Sequence, residues 1–284
     1  MNYINALQHV PACFAADNSG GQDFDMTRWR KYAAGIHPDL AAKCEEDISG
    51  YDFHREVLPV VNDALHHRER LQRLSEIYEK TVRTLQTHLP ALFDKEIDLD
   101  IILYLGLCSG AGWVTTLDGR DVILLGAEKI VELDWDHEND MKSLIFHEIG
   151  HIWHRTYGQM YFPTSSKKET SLLQLYQEGV AMVCEQILCG DDNYYHQDRD
   201  GWLSWCMEHE AAIKREFLSR LEQEQSTQDF FGDWCSFEGH SDVGYFLGCQ
   251  FIKKLREDHT LSEIANMPYD ALWPSFIRFA QSDR

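Results

Sequence analysis

Hydrophobic positions along the chain follow three regimes. From Met26 to about Phe93 they recur at helical spacing, as in Leu71, Leu74, Ile77, Tyr78, Val82 and Leu85, and Pro38 and Pro59 interrupt the pattern. The period then changes. Ile97–Leu107 and Trp113–Leu125 are rich in β-branched and apolar residues, and Asp118-Gly119 between Val114–Leu117 and Arg120–Leu124 predicts a tight hairpin. Beyond it the helical period returns. Leu144, Ile145, Ile149, Ile152 and Trp153 form one stripe and Leu172 to Leu188 another. Further helices are expected at about Trp202–Gln225 and Asp242–Glu257, and Thr260-Leu261-Ser262-Glu263 is a capping box opening one more. Residues 1–25 mix Gly, Asn and Asp and read as loose chain, and 158–168, with Pro163, reads as a loop. The expectation is an α+β fold in three regions: helical 1–95, sheet and central helix 96–158, and an all-α lobe 159–284.

One of these stripes carries chemistry. Within it stands His147-Glu148-Ile149-Gly150-His151, an H-E-x-x-H. Residues four apart on a helix lie on one face, so two imidazoles can meet one ion without distortion of the backbone. Glu148, beside the first histidine, is placed to take a proton from water at that ion. Asp134 to Asp140, acidic and carrying Asn139, suits the helix start.

A catalytic zinc usually takes three protein ligands and leaves one position open. A third histidine in the pattern H-E-x-x-H-x-x-G-x-x-H is excluded, because positions 154 and 157 hold His and Tyr. A glutamate from a second helix fits better. Glu178 lies in an apolar neighbourhood, where a lone carboxylate is costly unless paired or bound. Gly179 and Ala181 beside it are small enough to let another helix approach closely. Glu185, Asp191, His240 and His154 are rival third ligands.

His147-Glu148-x-x-His151 followed by Glu178-Gly179-x-Ala181 resembles the gluzincin metallopeptidases. It is most similar to bacterial zinc-dependent proteases of the YjaZ type, which also carry a G-Y-x-x-G helix, here Gly244-Tyr245-Phe246-Leu247-Gly248. The resemblance runs from about Leu99 to Ala265. It implies a zincin-like fold with an active-site cleft between the sheet region and the helical lobe. It also implies a zinc peptidase with His147, His151 and Glu178 as ligands and Glu148 as general base. Ile123–Gly126 would be an edge strand that binds extended peptide, and Tyr245 or His240 would donate to the developing oxyanion. Two departures stand out. Met182 occupies the place, four residues after the third ligand, where thermolysin-like enzymes keep an aspartate that orients a zinc histidine. A G-x-M-E-N exopeptidase motif is absent, with Gly126-Ala127-Glu128-Lys129 its faint echo. Other readings are a metal-dependent hydrolase of a non-peptide amide and a non-catalytic zinc-binding protein; the intact Glu148 counts against the latter.

Composition narrows the partners. The net charge of −21 argues against nucleic acid, which needs clustered Lys and Arg, and against anionic membrane surfaces. A peptide or protein substrate is expected, and the oligomeric state stays open. A 44% hydrophobic content with eight tryptophans supports a substantial core. No signal-peptide pattern opens the chain and no apolar run is long enough for a bilayer. Eight cysteines without a C-x-x-C pair read as reduced thiols of a cytoplasmic protein.

Overall fold

The computed structural model describes residues 2–14, 23–88, 97–232 and 234–282. The chain divides into two compact units, Met1–Glu148 and Ile149–Arg284. The dividing point falls inside one continuous helix, α7 (Glu138–Tyr157).

In the first unit a four-stranded sheet runs in the order β1-β2-β4-β3. Its strands are β1 (Asn2–Asn5), β2 (Asp100–Tyr104), β3 (Gly112–Leu117) and β4 (Arg120–Gly126). β1, β2 and β4 are mutually parallel, and β3 returns antiparallel to β4. The apolar runs Ile101–Tyr104 and Val122–Leu125 are buried throughout, as parallel strands covered on both faces require. Asp118 and Gly119 both take positive φ, 54° and 75°, the two-residue turn that the Asp-Gly pair predicts. The helices are α1 (Val10–Cys13), α2 (Met26–Ile36), α3 (Leu40–Asp47), α4 (Leu58–His66), α5 (Arg68–His88) and α6 (Ala127–Glu132). Hydrogen bonds pin two of them to β2 and its exit. Tyr78 of α5 donates to the Ile101 carbonyl (2.6 Å), and Trp29 of α2 donates to that of Leu105 (2.8 Å). Arg70 and Arg73 of α5 hold Asp136, just ahead of α7. Burial pushes the Asp136 carboxyl up, but the two guanidiniums outweigh it and bring it down to about 2.

Two expectations change here. The first residues are not all loose, because Asn2–Asn5 form β1, a short strand whose Tyr3 and Ile4 face Ile101 and Ile102 across a parallel ladder. Residues 15–22 lie outside the described residues. Ile123–Gly126 is not an edge either. It belongs to β4, between β2 and β3, and β3 forms the border of the sheet. The reason is the hairpin itself: its second strand pairs with β2, leaving the first outermost.

The second unit is helical, with the rest of α7 followed by α8 (Lys167–Cys189), α9 (Trp202–Glu222), α10 (Val243–Leu255), α11 (Leu261–Ile264) and α12 (Tyr269–Gln281). Its only extended pairing among the described residues is the isolated bridge Phe237–His240. The capping box at Thr260 and Glu263 is formed, but α11 is a single turn. Phe217, Phe230, Phe251 and Phe276 meet ring to ring in the core. A close crossing joins α8 to α10. A Cβ on Gly179 would stand 2.4 Å from the Gly248 carbonyl oxygen, and one on Gly248 would stand 2.6 Å from that of Leu175. Gly179 of the E-G-x-A segment and Gly248 of the G-Y-x-x-G segment therefore face each other. No described helix is long and apolar enough to cross a membrane.

Candidate metal centre

Helix α7 starts with Glu138 and Asp140 in its first turn, where carboxylates oppose the positive dipole end. Its apolar residues Ile145, Ile149 and Ile152 are buried. His147 and His151, one turn apart, join Glu178 of α8 in a set whose ligand atoms all lie within 4.8 Å of one another. Gly150 makes this possible. A side chain there would meet Cα of Ala181 and Cβ of Cys184 at 2.9 Å, so α8 can run close enough for Glu178 to reach α7. Nε2 of His151 and Oε2 of Glu178 stand 3.3 Å apart. Two donors on a tetrahedral zinc at about 2.0–2.1 Å each are separated by roughly 3.3–3.4 Å. The donor set, two imidazoles and one carboxylate, therefore suits zinc in chemistry, and its His151–Glu178 pair has the matching separation.

Glu148 is almost fully buried and lies against the border strand. A Cβ on Gly112, the first residue of β3, would come within 2.8 Å of its Oε1. Glycine at 112 thus opens the space that the carboxylate occupies, and it sets the general-base candidate directly beside the backbone of the border strand. Glu128 has a different task. Its carboxylate accepts from the backbone N–H groups of Gly106 (2.6 Å) and Cys108 (2.9 Å) and braces the loop leaving β2, where Cys108 takes a φ of 65°. Burial raises its pKa against those two bonds. It is occupied with the backbone of its own unit.

The remaining candidates separate clearly. Tyr245 is half-buried and packs edge-on against His196, with centroids 6.3 Å apart. His240 stacks on Trp205 at 3.9 Å, and Trp205 stacks in turn on His209 at 4.4 Å. His154 is wholly buried, meets Tyr176 edge-on at 4.7 Å, and is pushed down to about 3 by burial and by His151. Asp191 is exposed and accepts from the Asn193 N–H in a turn. Neither His240, His154 nor Asp191 belongs to a ligand-competent set among the described residues.

Glu185 does belong to one, together with His196, which no motif in the sequence marks. His147, Glu185 and His196 form a second group of ligand atoms within 4.8 Å, all three buried. His196 Nδ1 lies 2.9 and 3.1 Å from the two oxygens of Glu185. The segment after α8 that carries His196 is irregular and has no periodicity to flag it. Its one visible signal is Tyr194-Tyr195-His196, aromatic residues inside an otherwise acidic polar stretch.

Set beside known proteins, the chain matches no family model, no curated protein and no solved structure. Its function rests on the residues themselves.

Proposed function

We propose that this protein is a zinc-dependent peptidase, with His147, His151 and Glu178 as metal ligands and Glu148 as general base. The observation that carries the reading is the convergence of these three side chains from α7 and α8, with the next residue of the motif, Glu148, set against Gly112 of a border strand. Two histidines with a buried carboxylate beside them have structural explanations, but none of these calls for a border strand passing the carboxylate at a glycine.

The roles follow from chemistry. Zinc bound at such a set acts as a Lewis acid on a carbonyl and lowers the pKa of water toward about 7. β3 has a backbone edge without a further strand among the described residues, so an extended peptide can add to it by main-chain hydrogen bonds. That addition carries the peptide past Gly112 and hence past Glu148. Glu148 accepts a proton from the attacking water and returns it to the leaving amine. Tyr245, beside His196, is the candidate donor for the negative charge that develops on the carbonyl oxygen. His240 is the lesser candidate, because its ring face is taken up by Trp205. Whether cleavage is internal or terminal depends on groups that bind the peptide ends, and Glu128 does not serve for an amino terminus.

Zinc content and peptide-library cleavage test this directly. One zinc per chain, lost in Glu178→Ala, with cleavage that Glu148→Gln abolishes, is the expected result. A wild-type chain that takes up no zinc even after reconstitution would sink the proposal.

A further inference from the structure

A histidine that binds metal through one ring nitrogen nearly always donates the N–H of the other to a carboxylate or carbonyl, which fixes its tautomer and its aim. The position four residues after Glu178 cannot supply this, since Met182 stands there, with the Gln197 amide 3.9 Å from its sulfur. A carboxylate one turn further along α8 comes within 4.8 Å of a His147 ring nitrogen. Glu185 shares with His147 and His196 the second set of mutually close donor atoms. We infer that Glu185, held in place by His196, is the positioning carboxylate of His147, an assignment that rests on the metal centre proposed above.

The alternative use of the same three residues is a second metal ion, and distance argues against it. His196 Nδ1 sits 2.9 and 3.1 Å from the oxygens of Glu185, which is the range of a charge-assisted N–H···O bond. Donors sharing one tetrahedral ion stand farther apart, at roughly 3.3–3.4 Å, and His151 with Glu178 shows that wider spacing at 3.3 Å. The Glu185–His196 pair is therefore bonded internally.

The pair is also built rather than incidental. Glu185 is completely buried, and burying a carboxylate is unfavourable unless fixed partners replace its water. The chain just ahead of His196 is tied down. Gln186 donates to the Tyr194 carbonyl (2.9 Å), Gln250 of α10 donates to the Tyr195 hydroxyl (3.1 Å), and Tyr195 packs on Trp202 and Phe246. A buried carboxylate anchored this firmly presents its remaining lone pairs in a fixed direction. That is what setting the angle of an imidazole requires.

The test is zinc affinity, measured by competition with a chromophoric chelator on the full chain. It is read together with the melting temperature of the metal-free protein and the visible spectrum of the cobalt(II)-substituted form. Glu185→Gln should still bind one zinc per chain with affinity reduced about 10- to 100-fold. Its cobalt bands should shift and its metal-free melting temperature should stay near wild type. His196→Gln should lower affinity in the same direction by less, and it serves as the reporter if Glu185→Gln does not fold. Unchanged affinity and spectrum in a folded Glu185→Gln would overturn the assignment. Two zinc ions per wild-type chain, one of them lost in Glu185→Gln, would overturn it in favour of a second ligand set. Failure of the metal centre itself would look different, with no zinc on wild type and none on His151→Ala.

Discussion

At the scale of single residues, the part of the site within one helical turn is readable because helix geometry is local. The spacing of His147 and His151 fixes their shared face before any tertiary contact forms. Glu178 is readable for another reason, the poor fit of a carboxylate within an apolar stripe. His196 follows neither rule: it lies in irregular chain and acquires meaning only once that segment folds onto Glu185. The two donor candidates separate in the same way. His240 is engaged face-on with Trp205, so His240→Ala should cost packing and leave zinc content and turnover within about twofold. Tyr245→Phe keeps the ring beside His196 and removes only the hydroxyl. If that hydroxyl meets the oxyanion, turnover should fall roughly 10²- to 10³-fold with zinc retained. Steady-state rates on a cleaved peptide, with zinc content measured on the same preparations, decide between them. For Glu148→Gln the loss should be about 10²- to 10⁴-fold, again with the metal in place.

At the scale of elements, strong local signals held and pairing partners did not show. The Asp118-Gly119 hairpin and the long amphipathic helices are readable from turn chemistry and period. β1 is not, because four residues beginning and ending in asparagine carry little pattern, and their partner strand lies 98 residues away. Which hairpin strand becomes the border depends on which one β2 accepts, a non-local choice that the pattern of either strand leaves open. Glycine placement, by contrast, was readable in outline. Gly179 signalled a close helix approach, and the structure supplies the partner in Gly248. Gly248→Ala should therefore destabilise the protein by about 1–3 kcal/mol, because the new methyl meets a backbone oxygen of Leu175 rather than a flexible side chain. α8 carries both Glu178 and Glu185, so zinc affinity should fall along with stability. Denaturant unfolding of the metal-free protein, followed by a zinc titration, would show both. Equal stability of variant and wild type would refute the crossing.

At the scale of the whole molecule, charge sets how stability responds to solution conditions. With 47 acidic and 26 basic residues, the folded chain repels itself, and added salt should stabilise it by screening. Asp136 acts locally in a defined direction. Its folded pKa, about 2, lies below the ordinary aspartate value near 3.9. Its contribution is therefore present above that ordinary value and is lost as pH falls from about 4 through about 2. Asp136→Asn should lower the melting temperature at pH 7 and differ less from wild type at pH 2–3. Divalent cations need a sharper experiment, because any of them will screen an acidic chain. Magnesium and zinc at equal concentration should screen alike, but imidazole donors such as those of the α7 and α8 set suit zinc and not magnesium. A ligand that binds the folded state alone adds stability as RT ln(1 + [L]/Kd), about 2.7 kcal/mol at a hundredfold excess over Kd. Zinc should accordingly raise the melting temperature beyond the magnesium effect, saturate at one equivalent, and lose that increment in Glu178→Ala. A chelator should take the wild type back to the magnesium baseline and leave the variant where it was. If zinc and magnesium gave the same shift in both proteins, the acidic surface alone would account for the response, and the α7–α8 site would not be a metal centre.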